Sequence, residues 1–255
     1  MSKVFFIGAG PGDPELITLK GKRLIEESDV IIYAGSLVNP EVLNYNKKNA
    51  KIYDSAKMNL EEIIEVMKDS ISKGLCVARV HTGDPSIYGS IREQIEELKK
   101  LNIDFEVVPG VSSFTAAASV LQKEFTVPSI SQTVICTRFE GNTPVPTSES
   151  IELLASHKTS MVIFLSIHKI EDLVQKLLLH YKEETPISVV YKATWVDQKI
   201  VSGTLKDISQ KVKNAGIKKT ALILVGDFLG NKYDNSKLYD KFFATEFRDA
   251  KCSTE

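Results

Sequence analysis

Three short stretches hold the residue types from which a small-molecule site can be built. Gly8-Ala9-Gly10-Pro11-Gly12-Asp13-Pro14, His81-Thr82-Gly83-Asp84-Pro85-Ser86-Ile87-Tyr88-Gly89 and Pro109-Gly110-Val111-Ser112-Ser113-Phe114 join glycines to hydroxyl, carboxylate or imidazole groups. The first lies where a dinucleotide-binding phosphate loop would lie, after an apolar run and before a helix predicted to start after Thr18. Its chemistry does not suit that role. G-x-G-x-x-G needs glycine where Asp13 stands, Pro11 and Pro14 remove backbone donors, and a pyrophosphate would meet the charge of Asp13. The second apolar run ends at Tyr33-Ala34-Gly35, without the carboxylate that holds a ribose in NAD enzymes. NAD and FAD are therefore not expected.

A tight turn would explain the glycines of the first loop taken alone, and helix capping the serines of the third. Recurrence argues for more. Each stretch leaves a strand-like run and enters a helical pattern, and in a parallel sheet the carboxyl ends of the strands share one side, where ligands bind. Ala116-Ala117-Ala118 then let a ligand or helix approach closely. His81 has no second histidine or cysteine at ligand spacing, so no protein-bound metal is expected.

The elements that must position these loops follow from hydrophobic periodicity. Strands are predicted near Val4–Ile7, Val30–Tyr33, Lys51–Tyr53, Leu75–Val80 and Phe105–Val108. Between the third and fourth, Leu60, Ile63, Ile64, Met67 and Ile71 share a helix face. Asn59 and Glu62 form a capping-box pattern before it, and Gly74 marks its stop. Residues Gln122–Ser129 break the pattern and read as a linker. Beyond it, strands are expected near Thr133–Thr137, Met161–Leu165, Ile187–Tyr191, Ile200–Gly203 and Ala221–Val225, with helices near Ser148–His157, His168–Leu179 and Lys206–Ala215. Two strands in succession around Tyr191–Gly203 point to a hairpin and a mixed sheet.

The expected domains are 1–122, an α/β unit with a mostly parallel sheet, and 130–230, an α/β unit with a mixed sheet, followed by a tail over 231–255. The 255 residues suit two domains of ordinary size, and 43% hydrophobic with 25% charged residues suits folded cores. A net charge of −1 gives no global field for nucleic acid or an anionic membrane. Cys76, Cys136 and Cys252 are odd in number and far apart, which suits thiols in a reducing compartment, with Cys76 and Cys136 expected in the core. The N-terminus shows no signal-peptide or membrane-spanning run, so a cytoplasmic protein is expected. Tyr239, Phe242, Phe243 and Phe247 in the tail suggest docking onto the body or a partner.

Taken together, the three loops resemble the signatures of the tetrapyrrole methyltransferase superfamily. The resemblance covers essentially the whole chain. It implies two α/β domains that hold S-adenosylmethionine, left as S-adenosylhomocysteine, in the cleft between them, within a homodimer. Tyr33–Val38, His81–Pro85, Gln132–Ile135 with Thr137-Arg138, Thr143–Pro146, Val190–Trp195 and Lys237–Asp240 resemble the precorrin-4 and cobalt-precorrin-4 group, which methylates ring carbon 11 in cobalamin synthesis. Carried over by position, the resemblance implies cofactor contacts at Pro11, Thr82, Gly83, Asp84, Ile87, Ser112 and Ser113, and from the C-domain at Leu165, Ala193 and Ala221.

A tetrapyrrole substrate carries many carboxylates, for which His81, Tyr88, Arg138 and Lys192 are the candidate partners at strand ends and loops. Each also suits a surface or structural role, as Trp195 suits either covering the ring or packing between domains. No catalytic residue is identified. The alternatives are a methyltransferase of this fold acting on another tetrapyrrole, on RNA or on protein, and a non-catalytic tetrapyrrole binder.

Overall fold

A computed structural model describes residues 2–141 and 143–251, so Cys252 lies outside the described residues. The chain divides into two compact units, residues 1–120 with 192–199, and residues 121–191 with 200–255.

The first unit is built on β1 (Val4–Gly8), β2 (Val30–Tyr33), β3 (Lys51–Asp54), β4 (Val77–His81) and β5 (Phe105–Val108). They form one parallel sheet in the order β3-β2-β4-β1-β5. Its central strands are mostly apolar on both faces, as a covered parallel sheet requires, with Arg79 and His81 of β4 the buried polar exceptions. Val4 and Phe6 of β1 pack with helices α2 (Leu60–Ser72) and α3 (Arg92–Lys100), through Ile63, Ile64, Met67 and Leu98. On the other face, Ile7, Ile31, Ala78 and Val80 pack with Leu24 and Ile25 of α1 (Leu19–Glu27) and with Val42 of a short 3-10 segment. Thr18 caps α1, its hydroxyl accepting from the Gly21 N–H. Asn59 and Glu62 cap α2 reciprocally, and Gly74 follows it at φ +74°, where a side chain would be strained.

The strand order matters for function. β1 hands over to α1 and β2 on one side, whereas β4 hands over to α3 and β5 on the other and on the opposite face. The chain thus departs in two directions from neighbouring strands, opening a crevice at their carboxyl ends. From β5 the chain enters α4 (Ser113–Val120).

The second unit holds β6 (Val134–Arg138), β7 (Ser160–Phe164), β8 (Pro186–Tyr191), β9 (Lys199–Thr204) and β10 (Ala221–Val225), with α5 (Ile151–Ala155), α6 (Ile170–Leu177) and α7 (Ile208–Asn214). The sheet order is β6-β7-β10-β8-β9. β6 and β7 are parallel, and β10 is antiparallel to both its neighbours, which makes the sheet mixed. Leu173, Val174 and Leu177 of α6 and Ile208 and Val212 of α7 close one core over Met161, Ile163, Ile187 and Val189.

Two expectations need correction. Cys76 is half-buried and Cys136 exposed, so neither is a core residue, and neither forms a disulfide. β6 is an edge strand with a neighbour on one side only, which leaves Cys136 open. In the tail, Tyr239 and Phe247 are 87% and 93% exposed rather than docked onto the body of the chain. That segment is organised instead by Arg248, whose Nη2 donates to the carbonyls of Leu238 and Asp240 at 2.7 and 2.8 Å.

Replacing Asn59 with Ala should cost about 1 kcal/mol of stability through loss of the reciprocal cap. Urea unfolding checks this, with a lower midpoint and unchanged slope expected.

Candidate active site

The three glycine loops meet by main chain. A Cβ on Gly8 would lie 2.6 Å from the Gly83 carbonyl oxygen and 2.7 Å from the Gly110 Cα, and one on Gly110 would fall onto the same carbonyl. Any side chain there would force backbones apart. Gly10 and Gly83 form a bridge, with Gly83 N–H donating to the Gly10 carbonyl at 2.8 Å and Gly10 N–H to the Gly83 carbonyl at 3.3 Å. Both adopt positive φ, +79° and +59°, which glycine reaches without steric cost.

Asp84 rivets the second loop to the third. Its Oδ2 accepts from the Gly110 N–H at 2.9 Å, while Oδ1 accepts from the Ser86 N–H at 2.8 Å and from the Ser86 hydroxyl. Burial works against its charge, but the hydrogen bonds from the Ser86 hydroxyl, the Gly110 N–H and the Ser86 N–H outweigh it and hold the carboxyl below its ordinary range. Tyr88 and Ser90, at φ +55° and +49°, mark strain in the same loop. That strain is held from beneath. Arg79, 5% exposed, donates through Nε to Gln94 Oε1 at 3.0 Å and through Nη1 to the Ile32 carbonyl at 3.2 Å, and Gln94 Nε2 donates to the Ser90 carbonyl at 3.0 Å.

The first loop is held from outside itself. Trp195 Nε1 donates to the Pro11 carbonyl at 3.0 Å, Asn39 Nδ2 to the Gly12 carbonyl at 2.8 Å, and the Asp13 N–H donates to Thr194 Oγ1 at 3.0 Å.

Of the residues singled out from sequence, Pro11, Thr82, Gly83, Asp84, Ile87, Ser112 and Ser113 all fall on the three loops at this end of the first sheet. The hydroxyls of Thr82, Ser112 and Ser113 have no protein hydrogen-bond partner among the described residues, leaving them available to a polar ligand. Ile87 is 36% exposed and Tyr88 is exposed beside it. Ala193, expected from the C-domain, belongs with the first unit, its carbonyl against Gly12.

Leu165 and Ala221 belong to the second unit. Ala221 is a core residue, whereas Leu165 is 59% exposed at φ +55°. An exposed leucine on left-handed backbone is a binding candidate in its own right.

The four substrate candidates separate. His81 is 3% exposed and stacks on Phe6, beneath the loops rather than at a surface that a ring could touch. Burial and the nearby Arg79 cation lower its pKa to about 3, so it is neutral, and its Nε2 is buried without a partner. Arg138 donates to the Thr143 and Pro144 carbonyls at 3.1 and 2.6 Å, which fixes the loop after β6. Lys192 pairs with Asp197 at 2.7 Å and sits 4.7 Å from the Trp195 ring centroid.

Sequence reasoning missed Arg79, Gln94, Asn39 and Thr194. Arg79 had a signal, as the one charge within the otherwise apolar stretch Val77–Val80. Thr194 lies within the Val190–Trp195 stretch that carries the resemblance, whereas Asn39 and Gln94 had no signal, because polar residues near loops are common. Among the described residues, no group of three His, Cys, Asp or Glu side chains is placed to hold a metal ion.

With the geometry in place, likeness to known proteins is informative. The family profile of the Tetrapyrrole (Corrin/Porphyrin) Methylases matches residues 3–209. A cobalt-precorrin-4 C(11)-methyltransferase of Methanocaldococcus jannaschii is 61% identical, over 96% of each chain. A precorrin-4 C(11)-methyltransferase of Pseudomonas aeruginosa is 46% identical, over 92% of this chain and 94% of its own. The X-ray structure of a cobalt precorrin-4 methyltransferase from cobalamin biosynthesis is similar at TM-score 0.88 and 46% identity, covering 90% of this chain and 96% of its own.

Gln94→Leu should leave buried Arg79 short of an acceptor and cost roughly 2–3 kcal/mol, read by urea unfolding. Neutral, buried His81 also sets a pH dependence. Below its ordinary value of 6.5 the unfolded chain takes up a proton that the native state refuses until about 3, so stability falls as pH falls through that window. Each pH unit should cost the native protein up to about 1.4 kcal/mol more than it costs His81→Asn. Parallel acid limbs in the two proteins would contradict the assignment.

Proposed function

The chain belongs to the Tetrapyrrole (Corrin/Porphyrin) Methylases, and from that membership we propose an S-adenosylmethionine-dependent C-methyltransferase that methylates ring carbon 11 of cobalt-precorrin-4 or precorrin-4. The main support is the meeting of three glycine loops at one end of a parallel sheet, in a chain whose relatives over nearly its full length carry that activity in their names.

The residues present fit the methyl donor. An amino-acid carboxylate and ribose hydroxyls call for neutral donors and acceptors, which Thr82, Ser112 and Ser113 supply, while Ile87 offers apolar packing. When bound, S-adenosylmethionine supplies an already activated methyl group on a sulfonium. The acceptor carbon of a reduced tetrapyrrole behaves as an enamine carbon, so the chain need supply neither nucleophile nor metal. What these residues contribute is orientation, an effect of about 7–11 kcal/mol in favourable cases. Asp84 serves this by holding the second and third loops in register. Tyr88, Arg138 and Lys192 are the proposed partners of the substrate carboxylates.

The reading includes a homodimer in the cytoplasm with no nucleic-acid or membrane partner. No helix among the described residues is long and apolar enough to cross a membrane.

The deciding experiment supplies cobalt-precorrin-4 and methyl-labelled S-adenosylmethionine and locates the label by NMR. Label on ring carbon 11 is expected. Label elsewhere, or none with either the cobalt or the metal-free substrate, would overturn the assignment. Asp84→Ala should weaken S-adenosylhomocysteine binding by about tenfold or more with far-ultraviolet dichroism unchanged, since hydrogen bonds to a charged group are lost.

A further inference from the structure

We propose that the Lys192–Lys199 turn is a clamp on the first glycine loop, and that Trp195 and Thr194, together with Asn39, are positioning residues for the methyl donor. The inference rests on the first loop lying beside the donor, as proposed above.

Asp13 caps the turn that follows the first loop, but the stretch from Pro11 to the Asp13 N–H is held by groups outside it. Pro11 and Pro14 lack backbone donors, and Gly8, Gly10 and Gly12 add conformational freedom. Three backbone polar groups on successive residues are each satisfied by a side chain from elsewhere: the Pro11 carbonyl by Trp195, the Gly12 carbonyl by Asn39 and the Asp13 N–H by Thr194. Gly12 shows the fit most clearly. It does not lie at positive φ, so its backbone does not demand glycine. A Cβ there would instead fall inside the Trp195 indole and lie 2.9 Å from the Ala193 carbonyl oxygen. Gly12 lacks a side chain because the indole takes its place.

The turn that delivers these groups is itself over-determined. Lys192 and Thr194 lie at φ +47° and +69°, the latter an outlier for a β-branched residue. Trp195 N–H donates to the Lys192 carbonyl at 3.1 Å and Gln198 N–H to the Trp195 carbonyl at 3.1 Å. Thr194 N–H donates to Gln198 Oε1 at 2.7 Å. The Lys192 ammonium lies over the indole and on Asp197. Strained backbone persists where surrounding contacts fix it, and such places concentrate at functional sites. A loop fixed in advance spares the ligand the cost of ordering it. Loss of the clamp is therefore read as weaker donor binding, while loss of ordinary packing is read as unfolding.

The test uses the full chain. S-adenosylhomocysteine affinity is measured by calorimetry, Michaelis constants for donor and tetrapyrrole separately, and Asp13 amide exchange by NMR. Thr194→Val, which cannot accept from Asp13, and Asn39→Ala should each weaken binding by about three- to tenfold. The donor KM should rise with it while the tetrapyrrole KM stays unchanged, Asp13 should exchange faster, and Thr194→Ser should restore all three. Gly12→Ala should weaken binding in the native background and have a smaller further effect in Trp195→Ala, where only the Ala193 carbonyl still meets the added methyl. Native affinity and native Asp13 exchange in both Thr194→Val and Asn39→Ala would overturn the clamp. If the native protein itself fails to bind S-adenosylhomocysteine, the methyl-transfer reading falls, and the Asp13 exchange rate alone decides whether the turn holds the loop.

Discussion

Where β1, β4 and β5 end, main chain packs directly on main chain. Gly8, Gly83 and Gly110 approach so closely that a single methyl group at either Gly8 or Gly110 would overlap a neighbouring backbone. Every other feature of the site is arranged around this contact. The crevice arises because the chain leaves β1 and β4 in opposite directions, but its floor is set by how near the three turns can come. With no side chains between them, the turns behave as one surface, and the Asp84 carboxylate fastens two of them by a bond to the Gly110 N–H. The hydroxyls of Thr82, Ser112 and Ser113 are displayed from that surface and need no flexible side chain to place them.

A second layer of polar groups supports the surface from inside the sheet. Burying Arg79 without a carboxylate lowers its pKa to about 10, a sign of what desolvating the cation costs. The Ile32 carbonyl and Gln94 offset part of that cost, and Gln94 extends the network to Ser90. The bonding thus ends on a loop segment whose backbone is strained at Tyr88 and Ser90. Structural chemistry under β4 and strained geometry above it belong to one connected arrangement, next to which His81 lies buried, neutral and stacked on Phe6.

Much of this was legible in the residues. The period-two and helical patterns located the strands within one to two residues, since β1, β2 and β10 are nearly unbroken apolar runs. The cap residues Thr18, Asn59 and Gly74 act locally and were read locally. The glycine loops were visible because glycine next to a strand end has few other uses. The failures have a common physical origin. Cys136 was misplaced because an apolar strand does not reveal whether it lies at a sheet edge. For His81 the residues leave a ligand-facing and a structural role open, because a strand end does not reveal which face is covered, and the structure buries it. Asn39 and Thr194 act through partners at large sequence separation, and a polar side chain near a turn gives no sign of which distant carbonyl or amide it will meet.

The return of residues 192–199 to the first unit has a bearing on biosynthesis. On the ribosome the sheet of the first unit has all its strands once Val108 is made, and N-terminal elements fold first. Trp195 and Thr194 follow only after the intervening chain. From residue 120 to residue 192 is 72 residues, or roughly 4–14 s at ordinary elongation rates. For that interval the nascent unit carries its first glycine turn without the indole and hydroxyl that hold it in the finished enzyme. Synthesis of most of the second sheet thus precedes completion of the first unit, and the order of assembly is not the order of the genetic message.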